Sequence, residues 1–340
     1  MTEYSTDSGP EYRPKLGFAG VGWIGKSRLK AIMDGQAAGA VAAFDPDPSV
    51  TAGLKGDVPG VRIHDSFDDM LDSDLDGIVI ATPSALHADQ ALSALNSGKA
   101  VFCQKPLGRN RQETEKVVET AREHDLLLGV DFSYRYVRAA EQVRKTITSG
   151  ELGKIYAVHL IFHNSYGPDK AWYRDAALSG GGCLMDLGIH LVDFLFWILD
   201  RPAISVLQSR LISRGRLLNG NRSQVEDYAA AQFLLDGDTS VQLSCSWNLP
   251  AGRDAIIEAC FYGENGGVSF RNVDGSFYDF VAEKYNSTAA ETLAGPPDHW
   301  SGRGAAVWAE RLAEENKFDP AAEDYTNVAH ALDLLYQNSL

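Results

Sequence analysis

Cysteine is scarce in this chain, with four residues among 340, all far apart and none in a C-x-x-C pair. Disulfide frameworks and zinc ribbons need numerous or closely spaced cysteines, so the sequence favours neither. This usage is typical of a reducing cytoplasm, and we expect that location. The four residues are Cys103, Cys183, Cys245 and Cys260.

Positive charge is also in short supply, with 31 Lys and Arg against 46 Asp and Glu and a net charge of −15. Nucleic-acid backbones and anionic membrane surfaces are bound by clustered cations, so we expect neither kind of partner. Long apolar runs are missing as well, because the stretch 191–199 is too short to span a bilayer and contains Asp193. Residues 1–12 are polar and acidic, which predicts a disordered tail and not a signal peptide.

The first motif along the chain is a glycine-rich turn. Residues 16–25 read LGFAGVGWIG, an apolar run followed at once by Gly20, Gly22 and Gly25. In a dinucleotide-binding turn, the first glycine permits the tight backbone, the second lets the chain approach a diphosphate, and the third lets the next helix pack closely. The diphosphate would lie against the amides at the start of that helix, where Trp23 and Ile24 are further candidate cofactor contacts.

The acidic residue after the second apolar run predicts which coenzyme is bound. Asp45 follows the run 40–44 and is placed to accept hydrogen bonds from both hydroxyls of the adenosine ribose. This carboxylate would repel a 2′-phosphate, so we predict NAD in preference to NADP. Arg28 and Lys30 lie inside the first predicted helix and are interpreted as part of its solvated face. A βα turn without a ligand is the alternative.

The first part of the chain alternates between strand and helix signals. Strands are predicted at 76–81, 100–103 and 126–130, and helices at 84–96 and 111–124. Alternation with short connections predicts a parallel, doubly wound sheet, that is, an α/β fold. We assign residues 13–136 to this dinucleotide-binding domain.

After a predicted helix at 139–149, strand signals dominate the chain. Several of these runs alternate polar and apolar residues, as in a sheet that is covered on one face. The predicted strands are 155–162, 204–212, 228–235, 240–247 and 255–261, interrupted by one apolar helix at 184–199. We predict that residues 137–340 form a second α/β domain with a large, mostly antiparallel sheet, that 266–297 is a loop region, and that the last helix packs back on the first domain.

The turn Cys103-Gln104-Lys105-Pro106 follows a predicted strand of the first domain. Ligands bind at the carboxyl ends of parallel strands, which places Lys105 near a nicotinamide. An ammonium there can hydrogen-bond a substrate hydroxyl and stabilise negative charge as the proton leaves. Proline at this point is compatible with a cis peptide bond. The alternative for Lys105 is an ordinary surface lysine.

Asp186 and His190 are four residues apart on a predicted helix that follows the glycines 180–182, so they share one face. An imidazole titrates near neutrality and suits transfer of an alcohol proton. The carboxylate can fix the imidazole tautomer or hold a neighbouring substrate hydroxyl. A buried structural pair is one alternative. A metal site is the other, but no third ligand is evident, so we predict no metal.

Together the glycine-rich turn, the Lys-Pro turn and the G-G-x-x-x-D-x-G-x-H helix resemble the glucose–fructose oxidoreductase / inositol dehydrogenase / rhizopine-catabolism (Gfo/Idh/MocA) family. The resemblance implies an N-terminal Rossmann domain and a C-terminal α/β domain whose open sheet forms homodimers or homotetramers. It implies hydride transfer between a sugar or cyclitol carbon and nicotinamide. It also implies that Lys105 and His190 are the catalytic pair, with Asp186 as their helper.

The same resemblance implies a set of residues around the cofactor and the substrate. The implied cofactor contacts are Thr82, Pro83, Ser84, His87, Gln104 and Lys105. The implied substrate residues are Arg135, Tyr136, Trp172, Tyr173 and Arg174, for which core packing is the alternative. One position departs from the family, whose usual turn is Glu-Lys-Pro: Gln104 lacks the negative charge that would favour a protonated lysine.

These motifs predict an NAD-dependent dehydrogenase that acts on a secondary alcohol of a sugar, sugar derivative or cyclitol. Two other functions stay open at this point. One is a glycosidase or lyase that oxidises its sugar transiently and regenerates NAD. The other is a non-catalytic, dinucleotide-binding sensor, although such a sensor would not need Lys105, Asp186 and His190 together.

Overall fold

The computed structural model describes residues 12–220 and 223–339. Within these residues, the strands form two sheets, one of six strands and one of nine. The tail expected at 1–12 lies outside the described residues, except for Tyr12, whose hydroxyl donates a hydrogen bond to Asp76 at 2.7 Å.

The N-terminal sheet is parallel throughout and has the strand order β3-β2-β1-β4-β5-β6. The order reverses between β1 and β4, and in doubly wound folds the ligand binds where the order reverses. This sheet confirms the predicted Rossmann architecture. Its strands are β1 (Lys15–Ala19), β2 (Gly39–Phe44), β3 (Arg62–Ile63), β4 (Gly77–Ile80), β5 (Ala100–Cys103) and β6 (Leu128–Val130).

Helices follow these strands along the chain. The first begins directly after the glycine-rich turn, and the fifth begins just after β4, so both start at the same edge of the sheet. They are α1 (Trp23–Gly35), α2 (Pro48–Ala52), α3 (Leu54–Asp57), α4 (Phe67–Leu71), α5 (Ser84–Asn96) and α6 (Arg111–Glu123).

The second sheet has the order β15-β14-β13-β12-β7-β11-β10-β8-β9. Within the described ranges, only the central pair β7 and β11 is parallel, which confirms the mostly antiparallel sheet predicted from the alternating runs. Its strands are β7 (Ile155–Asn164), β8 (Ile204–Ser213), β9 (Arg216–Leu217), β10 (Tyr228–Leu235), β11 (Thr239–Ser246), β12 (Ala255–Gly263), β13 (Gly266–Asn272), β14 (Phe280–Asn286) and β15 (Ala289–Ala294).

Helices cover one face of this second sheet, and some of them also pack against the first domain. The helix α7 (Arg138–Thr148) packs on β13 and β14, α9 (Ile189–Leu199) packs on β7, and α11 (Glu323–Gln337) contacts β8, α6 and α9. The short α8 (Ala176–Ser179) lies beside α5, and α10 (Arg303–Glu314) packs on α1. Single 3-10 turns occur at Ser133–Tyr136, Ala171–Arg174 and Pro320–Ala322.

The chain returns to the first domain near its C-terminus. Trp308 of α10 lies 5.7 Å from Phe102 of β5, measured between ring centroids. A Cβ at Gly77 or Gly129 would press against the indole of Trp308, so these strand glycines leave space for it. The C-terminal helices therefore belong to the packing of the Rossmann sheet as well as to the second domain.

The expectation of a loop region at 266–297 is wrong, because this segment forms β13, β14 and β15. Two features of the segment mask the strand pattern. Gly266 and Gly267 open β13, and β15 is a mostly exposed edge strand that begins with two alanines. Pairing with neighbouring strands, and not apolar alternation, determines its structure.

The apolar helix predicted at 184–199 is two elements, a π-helical turn at Leu184–Gly188 followed by α9. The longer helical run Ala176–Leu199 contains an 18-residue window with a mean hydropathy of 1.7 and is long enough to cross a membrane by length and composition. The expectation that no such stretch exists is therefore wrong by this measure. However, 78% of the apolar window is buried inside the protein, as in the core helix of a globular fold.

Candidate active site

The glycine-rich turn has the geometry that its sequence predicts. Gly20 adopts a φ of +80°, and a Cβ there would collide with the carbonyl of Ala81 at the end of β4. A Cβ at Gly25 would overlap the carbonyl oxygen of Gly20, so α1 could not approach the strand so closely with any other residue. The two glycines bring the start of α1 to the switch point of the sheet.

The start of α1 faces open space. Gly22 is the N-cap residue, and a Cβ there would meet no atom within 4 Å. Because Gly22 has no side chain to bond the first amides of the helix, these amides are available to an anion. Trp23 is 73% exposed at this position, and Ile24 is half-buried. The predicted diphosphate site is therefore sterically open.

Asp45 lies beside the same turn. Its Oδ2 accepts a hydrogen bond from the backbone N–H of Val21 at 2.9 Å, and its Oδ1 accepts one from Asp47 at 3.0 Å. These bonds fix the carboxylate next to the glycine-rich turn. Each oxygen has a second lone pair for a ribose hydroxyl.

Arg28 does not belong to a solvated face, and that expectation is wrong. The residue is 6% exposed, and its Nε donates to Oδ2 of Asp131 at 2.5 Å. The face of α1 that carries Arg28 points toward the carboxyl end of β6, where Asp131 follows the strand. Lys30, by contrast, is exposed as expected.

Asp131 also bonds the residue that departs from the family pattern. The side-chain amide of Gln104 donates to the same Oδ2 of Asp131. The Asp131 side chain is completely buried, and its Oδ1 has no hydrogen-bond partner among the described residues. The negative charge that Gln104 lacks is therefore present one strand away, and Arg28 balances it.

The segment after β4 and the Lys-Pro turn are held together by His87. Its Nδ1 lies 2.7 Å from the carbonyl oxygen of Pro106, and its Nε2 lies 2.6 Å from that of Thr82. Burial lowers the pKa of His87, and the two carbonyl partners oppose this effect more weakly. We therefore assign His87 to positioning the two loops, since its ring lies between one carbonyl of each loop.

The other predicted contacts near β4 begin α5. Thr82 donates its hydroxyl to Gln90 at 2.6 Å, Pro83 is the N-cap residue of α5, and Ser84 is buried in its first turn. All three lie at the carboxyl end of β4, beside Gly20. This edge of the sheet therefore holds the predicted cofactor residues of both loops.

Lys105 and Asp186 are in direct contact. The ammonium donates to Oδ1 and to the backbone carbonyl of Asp186, each at 2.7 Å, across a cis Lys105–Pro106 turn. Oδ2 of Asp186 accepts a bond from the indole N–H of Trp247 at 3.0 Å. An ammonium has three N–H donors, so this arrangement leaves one for another oxygen.

Asp186 lies in the π-helical turn, and π-helical turns are frequent at functional sites. The start of this turn is fixed by Glu226, whose Oε1 accepts bonds from the backbone N–H groups of Gly182 and Leu184 at 3.0 and 2.9 Å. The hydroxyl of Tyr336 donates to the same oxygen at 2.9 Å. The glycine run is needed here because a Cβ at Gly182 would overlap the backbone of Glu226.

His190 lies at the start of α9 with its ring against aromatic side chains. The centroid of Tyr134 is 5.1 Å from that of His190, and the centroid of Phe162 is 6.2 Å away. Burial holds the pKa of His190 well below its ordinary value, and the charges of Lys105 and Arg28 lower it further. These effects favour the neutral imidazole, which is the form that can accept a proton. Asp186 does not bond the imidazole, since its carboxylate is engaged with Lys105 and Trp247.

Arg135 and Tyr136 make contacts with other elements of the protein. The guanidinium of Arg135 donates to the buried carboxylate of Asp193 at 2.5 Å and lies 3.7 Å from Asp324. The ring of Tyr136 packs against Gly304 of α10. These contacts are of the kind that the packing interpretation predicts, and the role of both residues at the substrate stays a prediction.

The segment 172–174 does approach the Lys105–Asp186 contact. Trp172 stacks on Tyr173 with centroids 3.8 Å apart, and Tyr173 meets Trp247 edge to face at 6.4 Å. Burial raises the pKa of Tyr173, and the charge of Asp186 raises it further. Arg174 is exposed at the end of this segment.

Sequence reasoning missed three residues of the site: Asp131, Trp247 and Glu226. Asp131 and Trp247 each follow a strand at its carboxyl end, and that position was a usable signal. Glu226 follows a polar connection before β10, and no local pattern links it to the glycines 180–182. Among residues 12–220 and 223–339, no group of three or more His, Cys, Asp or Glu side chains is arranged to hold a metal ion.

Comparison with known proteins agrees with this geometry. Residues 15–132 match the family model described as oxidoreductase family, NAD-binding Rossmann fold, and residues 140–269 match the GFO/IDH/MocA C-terminal domain. Both the family resemblance and the predicted NAD-binding domain are thereby confirmed.

Two curated relatives illustrate the range of similar proteins. D-glucoside 3-dehydrogenase of Escherichia coli (strain K12) is 32% identical over 204 residues, which cover 57% of this chain and 58% of the relative. Inositol 2-dehydrogenase of Rhizobium meliloti (strain 1021) is 26% identical over 261 residues, 76% of each chain. For the first four curated relatives, the matched part spans 44% to 62% of their own length.

Among solved structures, KijD10, a 3-ketoreductase from Actinomadura kijaniata in complex with NADP and TDP-benzene, has a TM-score of 0.82 and 20% identity. The match covers 96% of this chain and 98% of that one, and at this identity it shows the fold alone. The two domain models, by contrast, identify one family across both domains. The chain belongs to the GFO/IDH/MocA family of oxidoreductases.

Proposed function

We propose that this protein is an NAD-dependent oxidoreductase that transfers hydride between a secondary alcohol of a sugar, sugar derivative or cyclitol and nicotinamide. The observation that carries the proposal is the contact of Lys105 with Asp186 beside the switch point of the Rossmann sheet, with His190 four residues after Asp186 on the helical segment that follows. The relatives named as a glucoside and an inositol dehydrogenase support this substrate class.

The residues at the switch point fit NAD. The open space at Gly22 admits a diphosphate to the amides of α1, and the fixed carboxylate of Asp45 can accept bonds from ribose hydroxyls. A 2′-phosphate would meet that carboxylate, which favours NAD over NADP. When bound, the nicotinamide supplies the hydride acceptor or donor.

Side chains of this protein transfer the proton of the substrate hydroxyl. We assign the acceptance of the substrate hydroxyl proton to His190, whose imidazole is held in the neutral form by burial and nearby cations. Lys105 directs its remaining N–H to the same oxygen and stabilises the negative charge that develops there. Asp186 holds Lys105 in that position through two bonds, and Trp247 orients the carboxylate.

The test is the variant His190→Ala. Loss of the general base is expected to lower turnover by about 10²- to 10⁴-fold. Affinity for NAD, measured by fluorescence titration, is expected to stay within a factor of two or so of the parent, since His190 is not needed to bind the diphosphate or the ribose. Turnover is followed by the absorbance of the reduced nicotinamide with a panel of sugars and cyclitols.

The control is His124→Ala, which removes an exposed histidine at the end of α6 and is expected to leave turnover unchanged. Equal turnover in His190→Ala and the parent would remove the mechanism. Product formation without any net reduced nicotinamide would indicate instead that NAD is regenerated within each cycle.

A further inference from the structure

An open cavity of about 740 Å³ is lined on one side by Trp247. The indole N–H of Trp247 donates a hydrogen bond to the carboxylate of Asp186. The cavity has the size of ordinary small-molecule sites. The function proposed above assigns no role to this cavity. Three arginines line it: Arg174, Arg214 and Arg216.

Two of these arginines are presented by a tight hairpin. Strands β8 and β9 are joined by Arg214 and Gly215, with φ values of +52° and +77°, and Ser213 pairs with Arg216 across the turn. Positive φ at both central residues is typical of the type I′ turn, which matches the twist of paired strands. The backbone that carries Arg214 and Arg216 is therefore well defined.

The carboxylate of Asp227 in this cavity is already engaged. Its two oxygens accept bonds from the backbone N–H of Arg214, at 3.1 and 2.9 Å, and so anchor the hairpin. Among residues 12–220 and 223–339, the guanidinium groups of Arg174, Arg214 and Arg216 form no ion pair. Three arginines beside one carboxylate give the cavity an excess of positive charge in a chain whose net charge is −15.

Arg174 approaches the cavity from the other side. Its guanidinium lies across Gly167 beside Asn248, where a Cβ on Gly167 would be 2.9 Å from Nη2 of Arg174. It follows Tyr173, whose ring packs against Trp247. The arginines therefore come from two separate segments that meet beside Trp247.

We propose that this cavity, formed by Arg174, Arg214, Arg216 and Trp247, binds an anionic group of the substrate. The substrate is then a sugar or cyclitol that carries a phosphate or a carboxylate, with its reacting alcohol at Lys105 and His190. A guanidinium matches both anions because it can donate two parallel hydrogen bonds. This inference rests on the proposed function for the position of the alcohol, but its test requires binding alone.

The experiment is calorimetric titration of the enzyme saturated with NAD, so that phosphates cannot occupy the coenzyme site. The probes are glucose 6-phosphate and glucuronate against glucose, and inositol 1-phosphate against inositol. At least one anionic probe is expected to bind tenfold or more tightly than its neutral counterpart, and the phosphate and carboxylate arms distinguish the two anions. The preference is expected to weaken with salt.

The variant Arg214→Gln/Arg216→Gln is expected to reduce that preference to threefold or less. Both residues are exposed, so the substitutions remove charge without opening the core. The control Lys116→Gln/Lys145→Gln removes two exposed charges from α6 and α7 and is expected to keep the full preference.

Two results would overturn the inference: equal affinity for the charged and neutral members of every pair, or a preference that survives in Arg214→Gln/Arg216→Gln. A preference for the anion that coexists with unimpaired turnover in His190→Ala would leave the cavity assignment standing and would overturn only the proposed mechanism.

Discussion

Asp131 supplies the negative charge that position 104 lacks. It accepts bonds from Arg28 and Gln104 while fully buried, so one carboxylate serves one guanidinium and one amide. A charge buried in this way is tolerated because it is paired and hydrogen-bonded. The glutamine is thus the residue that this arrangement requires, since a glutamate would place two carboxylates in contact.

The variant Gln104→Glu tests this account. A second buried carboxylate against Asp131 is expected to lower the free energy of unfolding by about 2–4 kcal/mol, because one of the two must be protonated or left unpaired. In Gln104→Glu/Asp131→Asn the charge and the amide exchange places, and most of the loss is expected to be recovered. Urea unfolding at neutral pH measures both.

Gln112→Glu on the exposed face of α6 is the matched control and is expected to change stability by less than about 0.5 kcal/mol. If Gln104→Glu unfolded at the same urea concentration as this control, Asp131 would not be the constraint on position 104.

At the scale of elements, the position of Asp186 depends on how the π-helical turn begins. Glu226, from the connection before β10, bonds the amides of Gly182 and Leu184 and the hydroxyl of Tyr336 through a single oxygen. These amides have no partner within the helix because they lie in its first turn. The second sheet therefore fixes the helix that carries Asp186 and His190.

Replacing Glu226 by Ala is expected to lower the free energy of unfolding by about 3–5 kcal/mol, because three buried donors lose their acceptor. Glu226→Gln keeps an oxygen at that position and is expected to lose about 1 kcal/mol or less. Burial raises the pKa of Glu226, so its ionisation costs stability as the pH rises through the folded-state pKa. The glutamine variant escapes this cost, and its stability relative to the parent is expected to rise with pH.

Thermal unfolding across a pH series measures these differences, and rates of NAD reduction at low temperature show whether folded Glu226→Ala still positions Asp186. Equal losses in the alanine and glutamine variants would show that the oxygen is not what matters at this site.

The sequence predicts elements best where local signals agree. Helix α5 and strands β5 and β10 lie within the predicted bounds because apolar spacing and flanking glycines mark them. Strands β13 to β15 lack that agreement, since their pairing depends on neighbours distant in the chain. The same distinction holds at the site: Lys105 and Asp186 follow from motifs, whereas the contact of Arg28 with Asp131 depends on how α1 meets β6.

At the scale of the whole molecule, one face of the nine-stranded sheet carries no helix in the described part of the chain and holds a hollow of about 350 Å³. A row of uncharged polar residues crosses this face on paired strands: Gln208, Gln232, Gln242 and His159. A second surface packed over this row would bury amide and imidazole groups, with Arg210 at the edge of the same hollow. We propose that this face forms the interface of a homodimer or homotetramer.

Sedimentation velocity is expected to show a dimer or tetramer for the parent and a monomer for Gln232→Glu/Gln242→Glu. These residues face each other across β10 and β11, so two copies related by symmetry would bring four carboxylates together in a desolvated interface, where like charges cost several kcal/mol. The control Gln112→Glu/Asn96→Asp adds the same charge on α6 and α5 and is expected to keep the parental assembly. An assembly that resists the paired substitution in the sheet, or a parent that sediments as a monomer, would place any contact between copies elsewhere and leave this face free.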